Sequence, residues 1–406
     1  MTIIANRVLT TLLVSGVVGV SLMPFASHAP NRIVSGTAFG IAEALSPWHL
    51  AIAAVLTLVL AVAATPALSR LVLPRLAAGR TGAGAGAGIG GPLVALGAAP
   101  LLLLTIMYGA GDFATRMTDP EMTAARTSLG GAFWVAVFSL TLIMMDGLQR
   151  LRVGSLVAVG YGLAVGAAVF ALFAAGVFDD LSILREYANR RSAFTAAMSR
   201  HIFLVAGALG PALLIGIALG LWALRRKPVR GGVFGLLNFF QTIPSIALFG
   251  LLIAPLAALG AAVPLLFDLG VRGIGMAPAL LALVMYALLP IARNTYAGFA
   301  AVPTAVIEAA RGMGMSRLAI LLKVEAPLAL PILLSGLRIV VVQLIGLAVV
   351  AALIGAGGLG SFIFQGLGQN AIDLVLLGAI PTIAMAVLAD GVLQVFISLS
   401  QPRGQA

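Results

Sequence analysis

The ionisable side chains of this 406-residue chain are few and scattered, which limits the chemistry available to it. Three histidines, His28, His49 and His201, stand far apart, and cysteine is absent. No two carboxylates are spaced for acid–base work, so no catalytic residue, metal site or cofactor is predicted. Neither lysine, Lys227 or Lys323, ends a G-x-x-x-x-G-K-[ST] loop. The chain is therefore not expected to be an enzyme or to hydrolyse ATP through a phosphate loop of its own.

Ion-coupled transport is a second kind of chemistry, and it requires ionisable groups at membrane depth. Such groups are rare within the apolar stretches of the chain, and the candidates are Asp146, Arg293, Arg338 and Asp390. A proton relay built from these groups is a minor alternative because so few of them are available.

Uncharged polar residues interrupt two apolar stretches and are candidates for lining a transport pathway. Asn238, Gln241, Thr242 and Pro244 lie in one stretch, and Gln343 lies in another. Proline removes a backbone donor and frees a carbonyl, which is costly in lipid unless the group is packed or faces a water-filled path. Pathway lining and a packed kink are both open for the first group. Gln343 either lines the path or forms a hydrogen bond between helices.

The segment EAARGMGMSRLAILLKVEAP, residues 308–327, introduces five charges into an otherwise apolar region. One charge at the bilayer centre costs about 2.5–3.5 kcal/mol, and each aliphatic side chain returns only about 0.3–0.6 kcal/mol, so the segment does not span. We expect two short surface helices, separated at Gly312 and Gly314 and ended by Pro327 and Pro331. Such a rigid projection suits docking into a cleft on another protein. An inert amphipathic interfacial helix is the alternative.

The composition requires that most of the chain be surrounded by lipid. It is 61% hydrophobic and 9% charged, with a mean hydropathy of +1.13, whereas soluble domains carry about 25% charged residues. The predicted fold is an all-α polytopic membrane protein with about ten transmembrane helices. The predicted spans are 8–28, 49–72, 92–111, 131–147, 153–178, 203–224, 233–256, 276–297, 329–354 and 372–397.

The distribution of basic residues predicts the orientation of these spans. The net charge of +11 comes from Lys and Arg in short loops, so it indicates the positive-inside rule rather than nucleic-acid binding. Cytoplasmic N- and C-termini place most of the 24 basic residues inside. The loop 298–328 is then cytoplasmic. Arg7, the apolar run after it and Ser27-His28-Ala29 also fit a cleavable signal peptide, but an uncleaved first helix is favoured.

Two further segments divide the chain. GAGAGAGIGG, residues 82–91, consists of Gly and Ala apart from Ile89 and has no preceding strand, which indicates a flexible cytoplasmic connector rather than a phosphate-binding loop. Residues 179–202 mix charged and apolar residues at helical spacing and predict a surface helix on the outer side. This helix would separate five N-terminal spans from five C-terminal spans.

The segment 308–327 also resembles a known sequence pattern. Glu-Ala-Ala, then Gly after three residues, then an apolar ending in proline, is the signature loop of permease subunits of bacterial ABC importers. Val324 and Ala326 stand where isoleucine and leucine are typical. By this resemblance the loop is the coupling helix that sits in a groove of the ATPase subunit, and its residues are Glu308, Ala309, Ala310, Gly314, Val324 and Pro327.

Other segments narrow the resemblance. NFFQTIPSIALFGLLIAPL (238–256) and LIGAGGLGSFIFQGL (353–367) resemble osmoprotectant permeases for glycine betaine, choline and carnitine. HAPNRIVSG (28–36), ARTSLGGAFW (125–134) and EYANR (186–190) resemble the long-form glycine betaine uptake permease of Gram-negative bacteria. The resemblance is dense in the C-terminal half and patchy before it.

The resemblance implies a domain organisation and a set of partners. Residues 197–397 would form a type I importer transmembrane domain that contains the coupling loop 298–328. Residues 1–196 would add about five spans and a periplasmic helical segment. The expected partners are a cytoplasmic ATP-binding subunit dimer, a second permease copy or a paralogous permease, a periplasmic substrate-binding protein and the lipid bilayer.

The implied function is that of an inner-membrane permease subunit that imports glycine betaine or a related quaternary ammonium compound. One alternative is an ABC permease for another small solute, such as an amino acid. The other is a secondary transporter that works alone and is coupled to an ion gradient.

Overall fold

The computed structural model describes residues 7–400 except 32, 33, 35, 66–89, 120 and 123. The chain divides into two compact units, Met1–Ala188 and Asn189–Ala406. The domain boundary at 196/197 that the resemblance implied falls inside a continuous helix of the second unit, which begins at Arg191. Most of the predicted connector 82–91 lies outside the described residues, and its last two glycines begin a helix.

The first unit combines membrane-length helices with three short strands. Its elements are α1 (Arg7–Leu22), β1 (Ala26–Ala29), β2 (Thr37–Phe39), α2 (Ile41–Ala44), α3 (Pro47–Ala64), α4 (Gly90–Met117), β3 (Arg126–Leu129), α5 (Gly131–Arg150), α6 (Ser155–Ala174) and α7 (Ser182–Asn189).

The first predicted span, 8–28, is wrong at its C-terminal end. Helix α1 stops at Leu22, two residues before Pro24, because proline disfavours helical geometry in the residue that precedes it. The chain then enters β1, which pairs antiparallel with both β2 and β3. The sequence analysis predicted no strands there. His28 of β1 lies 3.0 Å from the Thr127 hydroxyl of β3, so this histidine belongs to the small sheet.

The second unit is built from long helices and several short ones. Its elements are α8 (Arg191–Arg225), α9 (Lys227–Thr242), α10 (Ser245–Leu251), α11 (Ile253–Ala262), α12 (Pro264–Asp268), α13 (Met276–Ala300), α14 (Thr304–Gly312), α15 (Arg317–Ile320), a π-helical turn (Leu321–Glu325), α16 (Ala326–Val350), a 3₁₀ turn (Ala351–Ile354), α17 (Gly360–Gly368) and α18 (Ile372–Ser400).

The seventh predicted span, 233–256, is not one helix. Helix α9 ends at Thr242, Ile243 is extended with ψ near 126°, and a new helix begins after Pro244. The proline has no N–H with which to continue α9. The expected surface helix 179–202 is likewise divided, because α7 ends at Asn189 and α8 begins at Arg191.

The prediction that Pro327 and Pro331 end the second surface helix is wrong. Helix α15 continues through the π-helical turn into α16, which contains both prolines. In this turn the Ala326 N–H donates to the Leu321 carbonyl five residues earlier. The wider turn gives room for the Pro327 ring, which would otherwise clash with the carbonyl four residues before it.

Small residues let the helices of the second unit approach closely. A Cβ on Gly220 of α8 would lie 2.6 Å from the Ala292 carbonyl oxygen of α13, and one on Gly336 of α16 would lie 2.4 Å from the Asn294 Cβ. Small residues at such contacts are typical of membrane helix packing. Among the described residues nine helical segments are long and apolar enough to cross a membrane, and Arg7–Leu22 is shorter. A polytopic α-helical protein is thus confirmed.

Candidate functional site

The signature segment forms a helix with a sharp C-terminal turn. At the end of α14 the Gly314 N–H donates to the Arg311 carbonyl at 2.9 Å, and the Met315 N–H donates to the Ala310 carbonyl at 3.2 Å. This pair of bonds is a Schellman motif, whose turning residue is left-handed. Gly314 has φ +77°. The glycine of the signature is therefore required by the backbone, and the predicted break at this position is confirmed.

The two sides of this segment differ in exposure. Ala310 and Ile320 are 2% and 4% exposed and hold the segment against the rest of the unit. Glu308 and Ala309 are exposed on α14, and no side chain in the described part of the chain forms an ion pair with Glu308. The exposed apolar residues that follow are Met313, Leu318 and Leu322. An exposed apolar patch bordered by charges is typical of a protein-binding surface.

An ion pair fixes the C-terminal end of the segment. Arg225, the last residue of α8, places Nη2 2.8 Å from Oε2 of Glu325 in the π-helical turn. The Glu325 side chain is 12% exposed. Val324 beside it is half-buried, and Pro327 is exposed. The segment is therefore joined to α13 through the chain, to α16 through a continuous helix, and to α8 through this pair. Arg225 was not among the predicted site residues.

The polar step after α9 packs on α13. The Gln241 Nε2 donates to the Tyr286 carbonyl at 2.6 Å, and the Tyr286 hydroxyl donates in return to the Ile243 carbonyl. Arg293 donates to the Asn238 amide oxygen at 3.1 Å. The Ile243 carbonyl, which the helix break exposes, thus accepts a hydrogen bond from Tyr286, as a backbone group in lipid requires.

These contacts describe a packed helix break, and pathway lining stays a prediction. The Thr242 hydroxyl donates to the Phe239 carbonyl of its own helix at 2.7 Å. The Pro244 carbonyl accepts a hydrogen bond from the Leu248 N–H, which forms the first turn of α10. Gln343 of α16 is half-buried, and its side chain makes no hydrogen bond within the described residues.

Of the four charged residues considered for a proton relay, Arg338, Asp390 and Asp146 form ion pairs, and Arg293 bonds the Asn238 amide instead. Arg338 of α16 donates through Nε and Nη2 to the two carboxylate oxygens of Asp390 on α18, at 2.5 and 2.7 Å. Its Nη1 also contacts the Gln394 amide oxygen. Asp146 pairs with Arg150 one helical turn later at 2.7 Å. The pairing of Arg338 with Asp390 was not predicted, because 52 residues separate the two in the sequence.

Comparison with known proteins relates both units to transport components. Residues 212–399 match the family described as the binding-protein-dependent transport system inner membrane component. Residues 6–91 and 81–184 match the N-terminal domain of the ABC transporter permease YehY.

Individual relatives each match about half of the chain. The chain is 40% identical over 205 residues to the osmoprotectant import permease protein OsmW of Salmonella typhimurium. This alignment covers 50% of this chain and 90% of that protein. The chain is 37% identical over 204 residues to the glycine betaine/carnitine/choline transport system permease protein OpuCB of Bacillus subtilis, 50% of this chain and 86% of that one. An inward-facing structure of the MetNI methionine ABC transporter matches with 22% identity and a TM-score of 0.46, over 53% of this chain and 99% of that one.

Proposed function

This chain belongs to the family of binding-protein-dependent transport system inner membrane components, the permease subunits of ABC importers, and we propose that it imports an osmoprotectant. The proposed solute is glycine betaine or a related quaternary ammonium compound. The observation that carries this assignment is the 40% identity to an osmoprotectant permease over 90% of that protein's length.

The energy for transport would come from a partner dimer of ATP-binding subunits. The exposed side of α14, with Glu308 and Ala309, is the proposed contact with that dimer. Movement of the dimer would carry the segment 304–325 with it, because the Schellman turn and the Arg225–Glu325 pair make the segment rigid. The continuous helix from Arg317 to Val350 would pass the displacement into the membrane.

The remaining partners and the orientation form part of the same proposal. Both termini and the loop 298–328 would be cytoplasmic, as the basic residues indicate. A second permease copy or a paralogous permease would complete the pathway, and a periplasmic binding protein would deliver the solute. Selectivity for the trimethylammonium group would reside mainly in that binding protein, since aromatic side chains recognise such cations and make up only 7% of this chain.

The experiment is reconstitution of the permease in proteoliposomes with its ATP-binding subunit and binding protein. We expect ATP-dependent uptake of labelled glycine betaine. Glu308→Lys should abolish uptake and ATPase binding at a normal protein level, because it reverses a charge on the proposed contact. The matched control is Glu121→Lys, which makes the same change at an exposed acid in the loop after α4 and should leave uptake unchanged.

Two results would support the alternatives instead. Uptake that continues without the ATP-binding subunit and stops when the proton gradient collapses would indicate a secondary transporter. ATP-dependent uptake that an amino acid inhibits and glycine betaine does not would keep the importer and change the solute.

A further inference from the structure

A pocket of about 350 Å³ with two arginines in its lining lies at the N-terminal end of α8 in the second unit. It is bounded by the first turns of α8, by the glycine turn before α17, and by α17 itself. Its lining residues include Arg190, Arg200, Gly357, Ser361, Phe362 and Gln365. The volume is at the lower end of the range of about 300–1,000 Å³ that is usual for small-molecule sites. None of the residues described above as part of the coupling segment contributes to it.

The lining of this pocket is suited to a carboxylate. Arg190 and Arg200 are the two basic residues of the lining, and no Asp or Glu is among the lining residues. Arg200 is exposed and has no carboxylate within ion-pair distance in the described part of the chain. Guanidinium binds carboxylate through two parallel hydrogen bonds, which gives both affinity and orientation. The Ser361 hydroxyl and the Gln365 amide add uncharged donors.

The glycine turn is built so that Arg200 can occupy this position. Gly357 and Gly358 have φ of +78° and +84°, a conformation that side chains with a Cβ disfavour. A Cβ on Gly357 would lie 2.7 Å from the Arg200 Cδ, and one on Gly358 would lie 3.2 Å from the His201 Nδ1. The turn therefore packs directly on both residues. The fully buried His201 ring also lies 3.1 Å from the Ile345 carbonyl of α16, which holds this part of α8 in place.

The pocket and the coupling segment lie at opposite ends of α8. Arg200 and Arg225 are 25 positions apart on that helix, which corresponds to about 38 Å at about 1.5 Å per residue. The hydrocarbon core of a bilayer is about 30 Å thick. Because Arg225 contacts the coupling segment, a cytoplasmic coupling segment places the pocket on the outer side of the membrane.

We propose that this outer pocket binds the carboxylate of the transported solute, with Arg200 as its principal ligand. The inference rests on the proposed function, because it takes the solute to be a small zwitterion such as glycine betaine. A betaine has the carboxylate that Arg200 requires, whereas choline has a hydroxyl in its place.

The test is equilibrium binding of labelled glycine betaine to the purified permease without its binding protein. We expect saturable binding by the wild-type permease, at least tenfold weaker binding by Arg200→Gln, and partial recovery by Arg200→Lys. Choline should not compete. Arg191→Gln, a neighbouring arginine that does not line the pocket, should bind as the wild type does. Equal thermal unfolding of all variants would show that the fold is intact.

Several outcomes would overturn the proposal. Betaine binding that is the same in the wild type and Arg200→Gln, or displacement of betaine by choline, would exclude a carboxylate site at Arg200. So would a defect of Arg200→Gln confined to docking of the binding protein. ATP-driven uptake of betaine by the wild-type transporter is measured in parallel. If the wild-type transporter takes up betaine normally but betaine binding does not depend on Arg200, the pocket is refuted and the proposed function stands. If uptake is absent, the proposed function is in question. The pocket is then still tested by binding of labelled acetate, which Arg200→Gln must weaken.

Discussion

The ion pair between Arg338 and Asp390 allows the sharpest stability prediction. Arg338 lies 12 positions before the end of α16, whose helix runs continuously from Arg317, or about 18 Å from that end, so we expect the pair to lie within the membrane. The two side chains are 35% and 40% exposed in the isolated chain. At this depth the exposed area faces lipid or another polypeptide rather than water. The cost of breaking the pair should therefore be that of a buried pair, about 3–5 kcal/mol, rather than the value of about 0–1 kcal/mol typical of surface pairs.

The perturbation is Arg338→Met, which keeps the length of the side chain and leaves Asp390 without its cation. We expect the free energy of unfolding in lipid nanodiscs to fall by about 3–5 kcal/mol. The double variant Arg338→Met/Asp390→Leu should recover most of this loss, because replacing both charges by apolar groups is often close to neutral. The control is Arg116→Met, which breaks a pair with Asp112 one helical turn away at the end of α4, where the two side chains are 46% and 33% exposed, and which should cost no more than about 1 kcal/mol.

The measurement is reversible unfolding of the four proteins, followed by tryptophan fluorescence during denaturant titration. A loss of 1 kcal/mol or less in Arg338→Met would refute the reasoning, because it would mean that water reaches the pair. A double variant as unstable as the single variant would refute it as well. In that case the destabilisation would come from lost packing rather than from an uncompensated charge.

Three further predictions concern backbone geometry. Gly314→Ala should destabilise the left-handed turn by about 1–2 kcal/mol and reduce ATP-driven uptake at a normal protein level, measured in proteoliposomes. Gly360→Ala places a Cβ 2.0 Å from the Val349 carbonyl oxygen and should lower the yield of monodisperse protein on size-exclusion chromatography. Gly346→Ala, which meets nothing within 4 Å, should leave that yield unchanged. Tyr286→Phe removes the hydroxyl that closes the helix break after α9 and should cost about 1–3 kcal/mol, measured by thermal unfolding.

Hydropathy alone was sufficient to predict most of the spans. Lipid cannot satisfy backbone polar groups, so each long apolar stretch must form its own helical hydrogen bonds. The helices Gly131–Arg150 and Met276–Ala300 lie close to the predicted stretches 131–147 and 276–297 for this reason. The end of the first span was wrong at Pro24, since hydropathy is insensitive to the restriction that proline places on the residue before it, whereas the proline-broken step at Pro244 was predicted.

Local spacing was also sufficient to predict the bend of the coupling segment. The left-handed turn at Gly314 depends on hydrogen bonds within six residues, so a glycine at this position is a reliable signal. The continuation of α15 into α16 was not predicted. It depends on a π-helical turn that accommodates Pro327, and no residue pattern in the sequence distinguishes that arrangement from a helix end.

The sequence by itself thus determined the membrane helices, the charged segment between two of them and the glycine that bends it. Each of these depends on the solvent or on bonds between near neighbours in the chain. Only the tertiary structure decided that Arg338 meets Asp390, that Arg225 meets Glu325, and that Arg200 lies against the glycine turn before α17. These contacts join residues 52 to 157 positions apart, and their partners are selected by the packing of whole helices rather than by local spacing.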